Sequence, residues 1–243
     1  MPRSALLLAL VLAAGSARAQ DESVALAPLE GVGRISVAGG WRLSSNETFY
    51  TSFYALPGYA CSGDACLRDS RGGPFGAATF AYAVTENIEL GIDLFATTER
   101  LRLSDAPTLT TYTYGALVGL RFQTVWDVLT PQGIVPFVGL ALGPALVLSE
   151  AQGIGRQEQV RQPWVGTVGA SFRLSPSWAL LAEYRLAFAR GQSPFNTYEP
   201  DPALGLPKTP YKDLASYNAG GNWFAVGLTY MFPPDPIRSF GSP

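Results

Sequence analysis

The sequence contains no histidine, only two cysteines and little charge. Charged residues make up 15% of the chain, well below the roughly one quarter that is usual for soluble domains. Without histidine, the chain lacks the commonest base for activating a catalytic serine, so no enzymatic activity is predicted. Lys208 and Lys212 are the only lysines, and no cluster of Lys and Arg occurs. Nucleic-acid binding is therefore excluded.

Long apolar runs are also missing, apart from one at the amino terminus. Residues 5–14 form a short apolar segment after Arg3, and Ala17-Arg18-Ala19 follows as a cleavage site of small residues. This order predicts a signal peptide over residues 1–19, and hence export. No later stretch approaches the ~18 uninterrupted apolar residues of a membrane-spanning helix. Residues 20–32 are predicted to form a short periplasmic lead-in.

What the chain does have is alternation. In eight stretches, large apolar residues alternate with small or polar ones, which is the period of a β-strand with two unlike faces. The stretches are 33–43, 76–84, 88–97, 111–123, 135–148, 163–174, 178–189 and 222–232. Their connections alternate between long and short, with one of middling length, as in barrels with tight periplasmic turns and long external loops. The sequence therefore predicts an all-β, eight-stranded, antiparallel up-and-down transmembrane β-barrel over residues 33–232.

Residue size indicates which face points outward. The apolar face carries Leu, Phe, Tyr and Trp and no charge in mid-strand, whereas Gly, Ala and Thr dominate the other face. An eight-stranded barrel has an interior only about wide enough for side chains, which suits the small residues. Lipid requires an apolar exterior. A soluble, secreted, lipocalin-like ligand-binding barrel stays open as an alternative, because it could hide the apolar face in its lumen.

The face assigned to the interior also carries charge. Its charged residues are Arg34, Arg42, Glu89, Asp93, Arg121, Arg173, Glu183 and Arg185. Burying such groups unpaired would cost several kcal/mol each, so ion pairs and trapped water are expected. One interpretation is a plugged, rigid polar core. The other is a narrow, gated small-solute channel that favours anions, because five arginines face three carboxylates.

The two cysteines lie five residues apart in one predicted external loop. In an exported chain, Cys61 and Cys66 are expected to form a disulfide. A metal site that adds Asp64 and Asp69 to the two thiolates would lack a second pair of Cys or His ligands. No metal and no cofactor are predicted.

The last alternating stretch, 222–232, carries a family resemblance. Its Val226, Gly227, Leu228, Tyr230 and Phe232 resemble the closing-strand signal of bacterial outer-membrane barrels. Together with Pro136-Phe137-Val138-Gly139 and Glu183-Tyr184-Arg185, this makes the chain similar to the small OmpA-like and opacity-protein-like barrels. The resemblance implies the bacterial outer membrane as location, contact with its lipid, and insertion by the barrel assembly machinery through the last strand. In that family an aromatic residue usually ends the chain, whereas here the Pro-rich tail 233–243 follows.

For the function, the resemblance leaves several roles open. The outer-membrane barrel enzymes employ a histidine, which is absent here. The leading expectation is a structural or surface-interaction role through the long external loops 44–74 and 190–220, which offer Tyr and Phe for contacts with a ligand or partner protein.

Overall fold

The computed structural model describes residues 28–43, 69–70, 72–103, 106–130, 132–151, 155–192 and 216–232. None of these residues lies in a helix that is long and apolar enough to cross a membrane. The described strands are β1 (Gly33–Leu43), β2 (Asp69–Ser70), β3 (Gly73–Ala83), β4 (Ile88–Leu103), β5 (Ala106–Gln123), β6 (Ile134–Leu142), β7 (Ala145–Ala151), β8 (Gly155–Arg161), β9 (Trp164–Arg173), β10 (Trp178–Phe188), β11 (Arg190–Gln192), β12 (Ser216–Asn218) and β13 (Gly221–Phe232).

Eight of the described strands close into a ring, in the order β1, β3, β4, β5, β6, β9, β10 and β13. Every neighbouring pair is antiparallel, and β13 pairs with β1 from Gly33 opposite Phe232 to Leu43 opposite Asn222. A closed ring leaves no strand edge within the barrel, so each strand finds backbone partners on both sides. The predicted all-β, eight-stranded, antiparallel up-and-down barrel is confirmed.

The ring closes with a stagger. Following paired residues from Val226 through β1, β3 and β4 leads to Tyr114 on β5. Following them the other way, through β10, β9 and β6, leads to Thr124, ten residues further along β5. Such a stagger requires strongly tilted strands. The series of paired residues that starts at Val226 therefore shifts towards the loop side as it passes around the barrel. It reaches Val160 on β8, which lies beyond the eight-stranded ring.

The tight turns lie where the alternation predicts them. At 84–87 the Thr85 hydroxyl accepts a hydrogen bond from the Ile88 N–H at 3.0 Å. At 174–177 the Ser175 hydroxyl accepts one from the Trp178 N–H, also at 3.0 Å. These side chains fix the turns by bonding to backbone groups that would otherwise lack partners.

The sequence predicts loops over 98–109 and 149–162, and both predictions are wrong; the predicted loops 44–74 and 190–220 also contain strand residues, in β2 and the start of β3 and in β11 and β12. Most of 98–109 continues as strand, because β4 runs on to Leu103 and β5 begins at Ala106. Within 149–162, β7 continues to Ala151, and β8 spans Gly155–Arg161. These lengths project past the barrel on the loop side, where an outward face need not be apolar, so their alternation is harder to recognise in the sequence.

Prolines interrupt but do not shift one wall of the barrel. Pro136 lies within β6 opposite Ala170. Gly143 and Pro144 separate β6 from β7, yet both strands keep the same register against β5. The Pro144 carbonyl still accepts a hydrogen bond from the Ala116 N–H at 3.1 Å. The two strands therefore form one interrupted strand that keeps a single register with β5.

The outer surface is an apolar belt. Val37, Leu140 and Val226 expose 62, 74 and 69% of their surface. Aromatic side chains flank the belt, with Trp41, Trp164 and Phe188 towards the loop side and Phe122, Trp178 and Phe232 towards the turn side. The predicted lipid-facing side is thus confirmed, and the aromatic residues at its two ends are placed to meet the two membrane–water interfaces. A lipocalin-like soluble barrel would need the opposite arrangement, with its polar face outside.

Inside, glycines make room for larger side chains. A Cβ atom at Gly169 would lie 2.7 Å from the Phe137 ring, and one at Gly139 would lie 2.9 Å from the Arg121 side chain. Neither space can hold another atom at ordinary packing distances. The small residues of the inward face are therefore matched to particular large neighbours.

The belt predicts a position-dependent cost of charge. Val226→Arg places a cation on the lipid-facing surface near mid-belt, which should lower the free energy of unfolding by about 2–4 kcal/mol. Val160→Arg alters a valine of equal exposure, 70%, beyond the barrel wall, where the cost should be close to zero. Urea unfolding of both variants in lipid vesicles measures the difference. Equal losses would contradict the assigned position of the belt.

Candidate functional site

The turn-side half of the lumen contains a network of charged side chains with alternating sign. Arg34 donates through Nε and Nη2 to both oxygens of Glu89, with the Nη2–Oε1 distance at 2.6 Å. Arg121 follows, 3.9 Å from Glu89 and 3.7 Å from Glu183. Arg185 then donates to Glu183 at 2.8 Å. These alternating charges thus connect β1, β4, β5 and β10 across the interior.

Asp93 ends this network. It accepts a hydrogen bond from Arg185 Nη1 at 3.0 Å and another from the Thr79 hydroxyl. Three arginines and three carboxylates therefore alternate, all of them buried, and their charges balance. Balance is required here, because an unpaired charge in so narrow a space has no bulk water to stabilise it.

The other two predicted interior cations lie towards the two ends of the barrel. Arg173 is buried at the turn-side end, where it lines a cavity of about 20 Å³ together with Arg34 and Glu89. Arg42 lies nearer the loop side, and its Nη2 is 2.5 Å from Glu99 Oε2. All eight predicted residues are buried, but six of them form one connected group.

Glu99 was missed, because it falls in a stretch that the sequence predicts to be a loop. In the structure it is a buried residue of β4 that pairs with Arg42. Among the described residues the interior therefore holds five arginines and four carboxylates rather than five and three. The excess of positive charge that suggested an anion-selective lumen is correspondingly smaller.

An aromatic layer separates the two charged regions. The Trp223 ring stacks on Phe75 at 4.8 Å between centroids and meets Phe95 at 5.2 Å. The Trp223 indole N–H donates to the Gly220 carbonyl at 3.3 Å, and Arg185 lies 5.7 Å from the Phe75 ring. The three rings belong to one buried apolar cluster with Leu117, Phe137, Val165 and Leu181, inside a barrel whose interior is only about wide enough for side chains.

Little space remains below the aromatic layer. A cavity of about 10 Å³ lies beside Asp93 and Arg121, and the cavity beside Arg173 measures about 20 Å³. Each has room for about one water molecule. In the part of the chain that the structure describes, the lumen is therefore filled rather than open.

A further obstruction lies at the loop-side mouth. β11 and β12 continue the register of β10 and β13, with Arg190 opposite Asn218, but they turn inward over the lumen. The Tyr217 hydroxyl shares hydrogen bonds with Ser149 and with Thr111, the latter at 2.8 Å. Burial raises the pKa of the Tyr217 phenol, although both hydroxyls oppose the rise. No pattern in the sequence predicts this contact, because it joins residues far apart in the chain.

Asn218 fixes the inward bend. Its side-chain oxygen accepts hydrogen bonds from the Ala189 N–H at 2.8 Å and the Gly220 N–H at 2.9 Å. Its amide nitrogen donates to the Ala187 carbonyl at 3.3 Å. One side chain therefore satisfies backbone groups that the bend removes from the ladder.

Other predicted site residues lie elsewhere. Cys61 and Cys66 fall outside the described residues, so their disulfide stays a prediction. Within the described ranges, no three His, Cys, Asp or Glu side chains are grouped to hold a metal ion. The closing-strand residues Val226, Leu228, Tyr230 and Phe232 point outward from β13, whereas Gly227 faces the interior.

A closed eight-stranded barrel with an apolar belt outside and paired charges inside is a transmembrane β-barrel of the outer-membrane type. Comparison with solved structures agrees. The outer-membrane protein OprG from Pseudomonas aeruginosa matches with a TM-score of 0.52 at 13% sequence identity, over 85% of this chain and 98% of that one. Neisserial surface protein A matches at 15% identity and a TM-score of 0.44, over 83% and 96%. No protein-family model and no curated protein sequence matches the chain. The chain thus has the fold of the small outer-membrane barrels, at identities that show the fold alone.

The ion network predicts a large cost for removing one carboxylate. Glu89→Gln leaves Arg34 and Arg121 without their shared counter-ion, so the free energy of unfolding should fall by about 3–5 kcal/mol. Urea unfolding in lipid vesicles provides the measurement. As a control, Glu158→Gln breaks the exposed Arg156–Glu158 pair, which should cost at most about 1 kcal/mol. Similar losses in both variants would show that the buried network does not support the barrel.

Proposed function

We propose that this protein is an integral outer-membrane barrel with a structural and surface-interaction role, performed by the part that projects from the loop side. The proposal rests on the contrast between a filled lumen and strands that project well beyond the ring on one side of the barrel. The ion network, the aromatic layer and Tyr217 obstruct the lumen at three levels. A lumen filled in this way is suited to holding the barrel rigid.

The strands are much longer on one side of the barrel than on the other. β5 has 18 residues and β1 has 11, a difference of roughly 20 Å of strand at about 3.3 Å per residue. β4, β7 and β8 extend in the same direction as β5. A paired sheet of this kind is a rigid platform, and rigid platforms commonly position the residues that bind partners.

The platform offers polar and charged groups to solvent. Arg100, Glu150, Arg156 and Glu158 are exposed along β4, β7 and β8. The predicted interaction loops 44–74 and 190–220 join the same end of the barrel. We propose that a surface ligand or partner protein is bound here, and that no catalytic reaction takes place.

The lipid and the assembly machinery are the other proposed partners. The apolar belt supports contact with outer-membrane lipid. The outward side chains of β13, which pairs with β1 to close the ring, support recognition of this strand during insertion. Cleavage after residue 19 and a periplasmic tail over 233–243 belong to the same proposal and stay predictions.

A filled lumen predicts the absence of a stable pore. Purified protein in planar lipid bilayers should show near-zero single-channel conductance at neutral pH. Trp223→Ala combined with Phe75→Ala removes two of the three rings of the aromatic layer but leaves the ion network and Tyr217 in place, so its conductance should also stay near zero. Steady conductance of the unaltered protein would favour the alternative function, a narrow gated channel for small solutes.

The surface role predicts loss of binding when the platform is shortened. Replacing residues 147–159 by Asn-Gly joins Leu146 to Val160 through a tight two-residue hairpin turn. Cells that display this variant should bind less to an array of immobilised extracellular proteins and glycans than cells with the unaltered protein. Asp127→Ala, an exposed change between β5 and β6, should not alter binding, and gel migration of unboiled samples checks that each barrel is folded. Unchanged binding by the shortened variant would overturn the surface role for this hairpin.

A further inference from the structure

β8 has a backbone partner on one side only. Its register against β7 runs from Ala145 opposite Arg161 to Ala151 opposite Gly155, and within the described residues no strand pairs with its other edge. Elsewhere around the ring each strand has two partners. Among the described residues β8 is therefore an edge strand, as β2 is at the other end of the same sheet and as β11 and β12 are in the second sheet.

The hydrogen bonds of neighbouring strands show which β8 groups point to that edge. The Arg173 N–H donates to the Gly133 carbonyl at 3.1 Å. The backbone N–H and C=O groups of the odd-numbered residues in β8 and β9 therefore point towards β6 and β7. The Leu174 N–H donates to the Trp178 carbonyl at 2.8 Å, so even-numbered residues face β10. Because the register against β6 and β7 does not shift, the alternation continues into β8. The N–H and C=O groups of Arg156, Glu158 and Val160 therefore point to the open side.

The inward bend of β11 creates this edge. If β10 continued straight, its register with β9 would place Gln192 opposite Val160. Instead β11 pairs with β12 over the lumen, and a side-chain hydrogen bond of 2.6 Å from Gln159 to Gln192 joins it to β8. Among the described residues, the β8 backbone groups that would have met β10 therefore have no strand partner.

We propose that the open edge of β8 binds an extended segment of a partner protein as an added antiparallel strand. Strand addition supplies main-chain hydrogen bonds, and alternate side chains supply selectivity. The exposed side chains next to this edge are Arg156, Glu158 and Val160, with Val160 at 70% exposure. The complementary strand carries an acid opposite Arg156, a base opposite Glu158 and an apolar residue opposite Val160. Read from its amino end, it is apolar, any residue, basic, any residue, acidic.

A second copy of the chain is the less suitable partner. In every copy β8 runs from the hairpin tip towards the membrane, so two copies in one membrane present their β8 strands in parallel. Pairing in register then places Arg156 opposite Arg156 and Glu158 opposite Glu158, and like charges directly opposite one another are destabilising. The charge pattern therefore favours a different chain.

The inference deepens the proposed surface role and rests on it, so its test uses a separate probe. The probe is a fluorescent peptide, Ser-Val-Thr-Lys-Thr-Glu-Ser, and the measurement is its anisotropy with full-length protein in lipid nanodiscs. Exchanging the two charges in the protein, by Arg156→Glu with Glu158→Arg, should weaken binding about tenfold, as two cross-strand pairs turn from attraction to repulsion. The peptide with exchanged charges, Ser-Val-Thr-Glu-Thr-Lys-Ser, should restore affinity to the exchanged protein.

A second pair of variants tests the backbone. Glu158→Pro removes an N–H that faces the open side but leaves the β7 ladder intact, and should abolish binding; Glu158→Ala keeps the N–H and should reduce binding only a few-fold. Unchanged binding by the proline variant would overturn the inference. So would failure of both peptides to bind, or cross-linking of copies at β8 without peptide binding. If shortening 147–159 still abolishes cell binding in those cases, the surface role survives and only the strand-addition mechanism fails.

Discussion

The structure depends on one constraint, which is that no backbone N–H or C=O group can be left unpaired inside a bilayer. The chain meets it by pairing β13 with β1 along the whole length of β1, so that the ring has no edge at membrane depth. Closing eight tilted strands also fixes the diameter of the interior. The lumen then has room for side chains and little else, and the placement of Gly139 and Gly169 against Arg121 and Phe137 follows from that limit.

A narrow interior also decides how charge can be accommodated. Each carboxylate of the lower network lies within reach of an arginine on a different strand, and the six charges sum to zero. Above the aromatic layer, Arg42 and Glu99 form a separate neutral pair. Pairing is therefore local within each group of charges, while Arg173 at the turn-side end is a further buried cation, so the described interior as a whole has one more arginine than carboxylates. Pairing of this kind links specific strands and so helps to specify their register.

Within the membrane the sequence predicts the fold residue by residue, because lipid imposes an apolar exterior that makes each strand alternate visibly. Ile35 and Val37 outward with Arg34 and Ser36 inward are typical. Above the membrane this signal disappears, since Arg100 and Thr98 on the outward face of β4 are as polar as Glu99 on the inward face. The contact of Tyr217 with Thr111 and Ser149 has no local pattern at all. It depends on a bend that one side chain, Asn218, stabilises through three backbone groups.

That bend explains why obstruction of the mouth and exposure of an edge occur together. Because β11 and β12 turn inward, Tyr217 lies over the lumen. For the same reason β11, which continues β10, does not pair with β8. The rule against free edges applies strictly only where water is absent. On the projecting hairpin, water can satisfy the outward amides of β8, and the charged side chains of Arg156 and Glu158 discourage unspecific strand pairing. This edge is therefore tolerated because it lies beyond the apolar belt, where water reaches it.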